Sequence, residues 1–267
     1  MRIKKGILLL LSIILCISIL GCSKNDEKTI KVGVSAVPHK DIMETIVPLL
    51  EEKGYKLDIQ EFSDYVTPNT ALQEGELDAN YFQHIAYLNE TNKSKGYDLV
   101  YTAAIHLEPM GLYSNKVNKV GSIEKGATIA IPNDPSNEAR ALRLLETAGL
   151  ITLKEGELIT TSDIIDNKYE LKFTELEAAQ LTRVLDEVDA AVINGNYALA
   201  ANLDFNKDAI FIEDSDTDYI QDMKNILAVK SGTENSDKIK ALTECLTSDE
   251  VRAYIEEKYK GTVIPVF

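Results

Sequence analysis

From Lys31 to Ile105 the chain alternates short β-branched runs with stretches of helical apolar spacing. That rhythm commits it to an α/β fold wound around a largely parallel sheet. Lys31–Ser35 reads as the first strand, and Asp41–Lys53 as a helix with Ile42, Ile46, Leu49 and Leu50 on one face, interrupted by Pro48 and stopped by Gly54. Lys56–Phe62 is a second strand. Thr67 is expected to cap a short helix with Pro68 at its first position. Asp78, Ala79 and Asn80 read as the end of a buried strand, with Phe82, His84 and Tyr87 following as the chain turns into a helix to about Lys95. Asp98–Ile105 closes this first unit.

The rhythm breaks at His106–Ser114, where Pro109 and Gly111 mark a crossing into a second unit. Strands are expected at Ala127–Ile131, Glu170–Thr174, Asp189–Ile193 and Ala209–Glu213, with helices from Asp134-Pro135 to Gly149, over Ala178–Leu185 and from Gly195 to about Leu203. Asn225–Val229 reads as the return crossing. Helices over Ser236–Leu246 and Ser248–Lys260 are then free to pack on the first unit. The expected organisation is one lobe of residues 30–108 and 227–267, and another of residues 109–226. Two doubly wound lobes joined by two hinge strands make a clamshell that closes on its ligand.

The first residues stand apart from this fold. Arg2, Lys4 and Lys5 precede Ile7–Leu20, a run of 14 residues that is apolar apart from two serines. Such a run is shorter than the roughly 20 residues a spanning helix needs, and reads as a signal peptide over residues 1–21. Ile19-Leu20-Gly21-Cys22 resembles a bacterial lipobox, which implies a diacylated Cys22 and a polar tether over residues 22–29. The mature protein would then sit on the extracytoplasmic face of the cell membrane, held by its lipid. From Cys22 onward 25 basic side chains face 43 acidic ones, a formal charge of −18, which argues against nucleic acid as a partner. Cys245 stands alone in a helical pattern and reads as a small buried apolar residue.

Few residues invite chemistry. Arg140 falls one turn into a helix that Asp134 and Pro135 open directly after a strand, a place that favours an anion; a surface ion pair is the other reading. Asn194 ends the strand Asp189–Ile193 with Tyr197 just beyond it, and Asn225 opens the return crossing. Asparagine there offers a donor and an acceptor without charge, or simply a helix cap or turn. Phe82, His84 and Tyr87 suggest one wall of a small-molecule pocket, or core. His39, His84 and His106 with Glu108 raise the alternative of a metal-binding importer component, although no pair has local ligand spacing. No catalytic motif is present, so neither an enzyme nor a cofactor is expected.

Five segments in order, SDYVTPNTAL (Ser63–Leu72), LDANYFQHIAYL (Leu77–Leu88), HLEPMGLYS (His106–Ser114), IPNDPSNEAR (Ile131–Arg140) and AVINGNYA (Ala191–Ala198), resemble the methionine-binding lipoproteins of ABC importers, the NlpA type. The resemblance runs from Lys31 to the C-terminus. It implies the two-lobed clamshell of periplasmic binding proteins, type II, in a monomer that delivers methionine or a close derivative to a permease. It implies that Arg140 grips the ligand carboxylate, that Asn194 and Asn225 join in polar recognition, and that Tyr65, Phe82 and His84 form the side-chain slot, with Tyr87 and Tyr197 as second walls. L-methionine, D-methionine and a methionine-containing dipeptide all remain open, as does a surface protein that has lost its pocket.

Overall fold

The computed structural model describes residues 28–267; the expected leader, the expected lipid attachment at Cys22 and the expected tether through Glu27 lie outside the described residues. In the first part of the chain β1 (Thr29–Val34), α1 (Asp41–Thr45), α2 (Val47–Glu52), β2 (Lys56–Glu61), α3 (Thr67–Glu74), β3 (Ala79–His84), α4 (Ile85–Lys95) and β4 (Leu99–Leu107) follow the expected rhythm. The second part carries β5 (Gly111–Tyr113), β6 (Thr128–Pro132), α5 (Pro135–Thr147), the hairpin β7 (Thr152–Leu153) and β8 (Ile164–Asp166), then β9 (Lys172–Leu176), β10 (Ala190–Ile193), α6 (Gly195–Ala200) and β11 (Ala209–Ile212). The chain returns as β12 (Lys224–Lys230), α7 (Asp237–Leu246), α8 (Asp249–Tyr259) and β13 (Ile264–Pro265).

Two large sheets result, one per lobe, beside the two-stranded β7–β8 pair. The first has the order β13-β4-β12-β3-β1-β2 and the second β11-β5-β10-β6-β9. β1 runs parallel to β2 and β3, whereas β12 is antiparallel to both β3 and β4. Each sheet is covered on both faces. In the first lobe Ile30, Val32 and Val34 pack with Ile42, Leu242 and Ile255 on one side, while Leu72, Leu88 and Ile226 fill the other. In the second, Leu142 and Leu145 of α5 cover one face, and Leu181, Leu185 and Ala198 the other. Burial on both faces is why these strands read as unbroken apolar runs.

Four local expectations are corrected. The strand expected to end at Asn80 begins at Ala79 and runs to His84, so Phe82 and His84 are strand residues and only Tyr87 is helical. Thr67 does not cap α3. Asp64 accepts hydrogen bonds at Oδ1 from the backbone N–H of Val66 (2.8 Å) and Thr67 (2.7 Å), a carboxylate doing what the hydroxyl was expected to do. The helix expected over Ala178–Leu185 is a 3₁₀ turn at Ala178–Gln180 followed by further three-residue turns, which also bring residues three apart onto one face. Finally, β12 starts at Lys224, so the returning chain enters the first sheet before residue 227.

Register decides one side chain at the cleft. Gln83 pairs with Ile226 and Tyr81 with Leu227, leaving Phe82 as the extra residue of a β-bulge. A bulge re-aims side chains and shifts the alternation by one. Accordingly Asn80 and Gln83, which simple alternation would send to opposite faces, both donate to Asn69 Oδ1 (2.8 and 2.7 Å).

Candidate binding cleft

The cleft lies where β3 and β12 of the first lobe meet α5, the β10–α6 junction and the crossing after β4. It is a cavity of about 330 Å³, its open mouth included, lined by Tyr65, Phe82, Gln83, His84, Tyr87, Glu108, Asn137, Arg140, Asn194, Gly195, Asn196 and Asn225. Tyr65, Phe82, His84, Tyr87, Arg140, Asn194 and Asn225 had been singled out from sequence. Tyr197 is not in this lining. Its hydroxyl donates to Ser63 O (3.2 Å), and its ring stacks at 5.0 Å on Tyr65 in an outer vestibule that also holds Asp64, Asp134 and Glu177.

The lobes are closed on each other. Tyr65 Oη donates to Asn196 Oδ1 (2.5 Å) and His84 Nε2 meets Asn137 Oδ1 (3.1 Å), both contacts spanning the cleft. Tyr65, Phe82 and Tyr87 form an aromatic corner with ring centroids 5.8 to 6.1 Å apart, and Tyr87 Oη donates to Tyr65 O (3.0 Å). Tyr65 and Tyr87 face both the inner cavity and the vestibule, so they form the partition between them.

Hydrogen bonding fixes the polarity of the other wall. Asp134 caps α5 by accepting from the Asn137 backbone N–H (3.0 Å), and its carboxylate takes Asn137 Nδ2 as well (2.9 and 3.0 Å). Asn137 Oδ1 is thereby turned towards the cleft, where it accepts from Asn194 Nδ2 (2.7 Å). His84 Nδ1 accepts from the Tyr87 backbone N–H (3.1 Å), so its proton sits on Nε2 and is given to the same Asn137 oxygen. Burial and the nearby Arg140 charge lower the His84 pKa to about 3, keeping the ring neutral. Asn194 occupies the cap position of α6 without capping it with its side chain. Its Oδ1 is buried and has no hydrogen-bond partner among the described residues.

Arg140 is 3% exposed and spans both crossings between the lobes. Its Nε and Nη2 donate to the two carboxylate oxygens of Glu213 (2.8 and 2.5 Å), at the start of the second crossing, and Nη2 also donates to Glu108 O (2.7 Å) on the first. Glu213 accepts further from the Met110 backbone N–H (3.0 Å) and the Tyr219 hydroxyl. Burial alone would raise the Glu213 pKa, but the Arg140 charge and these donors hold it below the usual carboxylate value. Arg143, three residues on, turns away to Gly156 O (2.5 Å) and Glu157 O (3.1 Å).

Glu108 faces the cavity on one side and two histidines on the other. His106 Nε2 lies 2.7 Å and His39 Nε2 3.4 Å from Glu108 Oε1, all three residues buried. This cluster is the only group among the described residues with the ligand atoms to hold a metal ion. His84 is not in it, so the three-histidine set considered from sequence does not assemble. Both imidazoles are already engaged at each nitrogen: His39 by Ser35 Oγ (2.6 Å) and Asn225 Oδ1 (2.9 Å), His106 by the Tyr81 hydroxyl and Glu108. Gly195 permits the approach of α6 to Glu108, since a Cβ there would lie 2.8 Å from Glu108 Cβ and 3.3 Å from Pro109 O.

Sequence reading missed Gln83, Asn137, Gly195 and Asn196, although each stands inside a segment that had been singled out. Glu213 carried no signal at all, since 73 residues separate it from Arg140.

Comparison with known proteins agrees over the same span. The methionine-binding lipoprotein MetQ of Bacillus subtilis is 41% identical over 250 residues, covering 91% of this chain and 90% of that one. A nutrient-binding protein from Burkholderia cenocepacia, solved bound to methionine, has a TM-score of 0.84 at 43% identity, covering 89% of this chain and all of the other. A lipoprotein of Ruminococcus gnavus reaches a TM-score of 0.88 at 48% identity, over 90% of this chain and all of its own. The family model for NlpA lipoproteins matches residues 30–267, and the chain belongs to that family.

Proposed function

We propose that this protein captures methionine outside the cytoplasmic membrane and delivers it to the permease of an ABC importer, acting as a monomer tethered through lipid on Cys22. The observation that carries the reading is the buried, unpartnered Asn194 Oδ1 in the cavity wall. An orphaned acceptor there is costly unless a ligand N–H completes it, and an α-ammonium does so. Arg140 supplies the positive charge for the ligand's carboxylate, with no bond from Nη1 to protein among the described residues. The aromatic corner of Tyr65, Phe82 and Tyr87 suits a thioether, which is polarizable and gains from ring contact. The relatives add weight, since two carry methionine in their names or structures.

In this reading the ligand replaces water between the lobes, and the bonds from Tyr65 to Asn196 and from His84 to Asn137 hold the closed form that docks on the importer. The chain carries its ligand and transforms nothing. Calorimetric titration tests it with four compounds: L-methionine, D-methionine, N-acetylmethionine and a methionine dipeptide. Binding of one or both free amino acids, with N-acetylmethionine weakened by tenfold or more (about the worth of a charged hydrogen bond), supports the reading. Equal affinity for N-acetylmethionine contradicts the ammonium role of Asn194, and preference for the dipeptide moves the substrate while keeping the cleft.

A further inference from the structure

Behind the cavity wall lies a buried chain of polar groups that ligand capture, as described, does not use. Asn225 sits on β12 directly across from His84 on β3 and His106 on β4, so its side chain forms part of the cavity base. A terminal amide can present either an oxygen or an NH₂ to a ligand, and only its neighbours decide which. Here His39 Nε2 lies 2.9 Å from Asn225 Oδ1. The same nitrogen is 3.4 Å from Glu108 Oε1, an acceptor whichever way the amide lies, so it carries the proton and the amide meets it with its oxygen. The opposite nitrogen, Nδ1, is left to accept from the Ser35 hydroxyl at 2.6 Å. His106 reinforces the arrangement: its Nε2 donates to Glu108 Oε1 (2.7 Å) while Nδ1 takes the Tyr81 hydroxyl. The His39 ring is itself held edge-on by Tyr81 and His106, at centroid distances of 4.7 and 4.9 Å.

We infer that His39 is a positioning residue: held by Ser35 and Glu108, it fixes the Asn225 amide with Oδ1 turned away and Nδ2 turned to the cavity, so that the base of the cleft is a donor and selects a carboxylate. The inference rests on reading the cleft as an amino-acid site. Its content is that discrimination between a carboxylate and a neutral amide at that end of the ligand depends on a histidine that does not touch the ligand. Were the amide free to turn, Oδ1 would face the carboxylate as a repelling acceptor and would welcome an amide N–H instead.

The experiment is titration of methionine and methioninamide into the wild type and three variants, with the ratio of the two affinities as the readout. His39→Leu removes the donor, Ser35→Ala frees the tautomer, and His39→Gln restores an N–H donor on an amide. The ratio is expected to fall about tenfold or more in His39→Leu, to fall by less in Ser35→Ala, and to stay within about threefold in His39→Gln. A purely structural role would lower the melting temperature and weaken both ligands alike, leaving the ratio unchanged. An unchanged ratio in His39→Leu, or in Ser35→Ala if the leucine variant does not fold, overturns the inference while leaving the amino-acid reading intact. A wild type that binds neither compound overturns that reading, and the inference with it.

Discussion

Replacing Arg140 by Met separates what this side chain does for the fold from what it does for a ligand. The substitution removes three hydrogen bonds, two to Glu213 and one to Glu108 O, and keeps much of the volume. It also strands the Glu213 carboxylate, which is buried and retains only the Met110 N–H and the Tyr219 hydroxyl. Breaking a buried ion pair from one side costs about 3–5 kcal/mol, and the two surviving donors place this case near the lower end, at about 3 kcal/mol. For a chain of this length that is roughly 6–12 °C in melting temperature. The deficit depends on pH with a definite sign. In the wild type Arg140 depresses the Glu213 pKa, so the stability this contributes is present above the unfolded value and is lost as pH falls through the folded one. In the variant burial is opposed only by the Met110 N–H and the Tyr219 hydroxyl and raises that pKa, so stability is lost as pH rises instead, and the gap between the two proteins widens from pH 4 to pH 7. Urea unfolding at both pH values measures it. Adding Glu213→Gln to Arg140→Met removes the stranded charge and is expected to recover most of the loss. Glu213→Gln alone should keep methionine affinity while both Arg140 variants lose it. A double variant no more stable than Arg140→Met, or a single variant within about 1 kcal/mol of wild type, refutes the ion-pair argument.

Other expectations follow from the same geometry. Asn194→Ala removes the orphaned acceptor and should weaken methionine binding by about 1.5–3 kcal/mol, and N-acetylmethionine, whose amide N–H is an uncharged donor, by less than about 1.5 kcal/mol; calorimetry of both ligands decides it. Gly195→Ala places a methyl 2.8 Å from Glu108 Cβ and should cost about 1–3 kcal/mol of stability by forcing the first crossing away from α6, as read by thermal melting. Burial lowers His39 to a pKa of about 4, and His84 and His106 to about 3. The unfolded chain, with histidines near 6.5, therefore takes up protons that the folded one refuses, so their contribution to stability is whole above pH 6.5 and is lost as pH falls through the folded values of about 3 to 4. Ring-proton NMR between pH 5 and 8 should show all three neutral, and a ring titrating near 6.5 would contradict its placement.

Much of this was legible in the sequence because the α/β rhythm and the polar segments are local. NDPSN places Asp134, Pro135 and Asn137 by helix-start chemistry, and the step from Ile193 to Asn194 marks a strand end whatever the rest of the chain does. What was not legible depends on distant partners. The bulge at Phe82 arises from pairing with β12, more than 140 residues later, and moves the boundary between strand and helix that the local pattern suggested. Arg140 reads as a free anion site until Glu213 arrives from the second crossing. The orphan status of Asn194 Oδ1 is likewise invisible until Asn137 has been turned by Asp134. At Ala178–Leu185 the failure is different, because residues three apart share a face in 3₁₀ turns as well as in an α-helix, and the pattern alone does not distinguish them.

The most direct test of the central claim is native mass spectrometry of residues 28–267 as purified, followed by denaturation and chiral identification of whatever is released. The account predicts one equivalent of an adduct with the mass of methionine, lost in Arg140→Met. No adduct, and none after addition of L- or D-methionine, would contradict it.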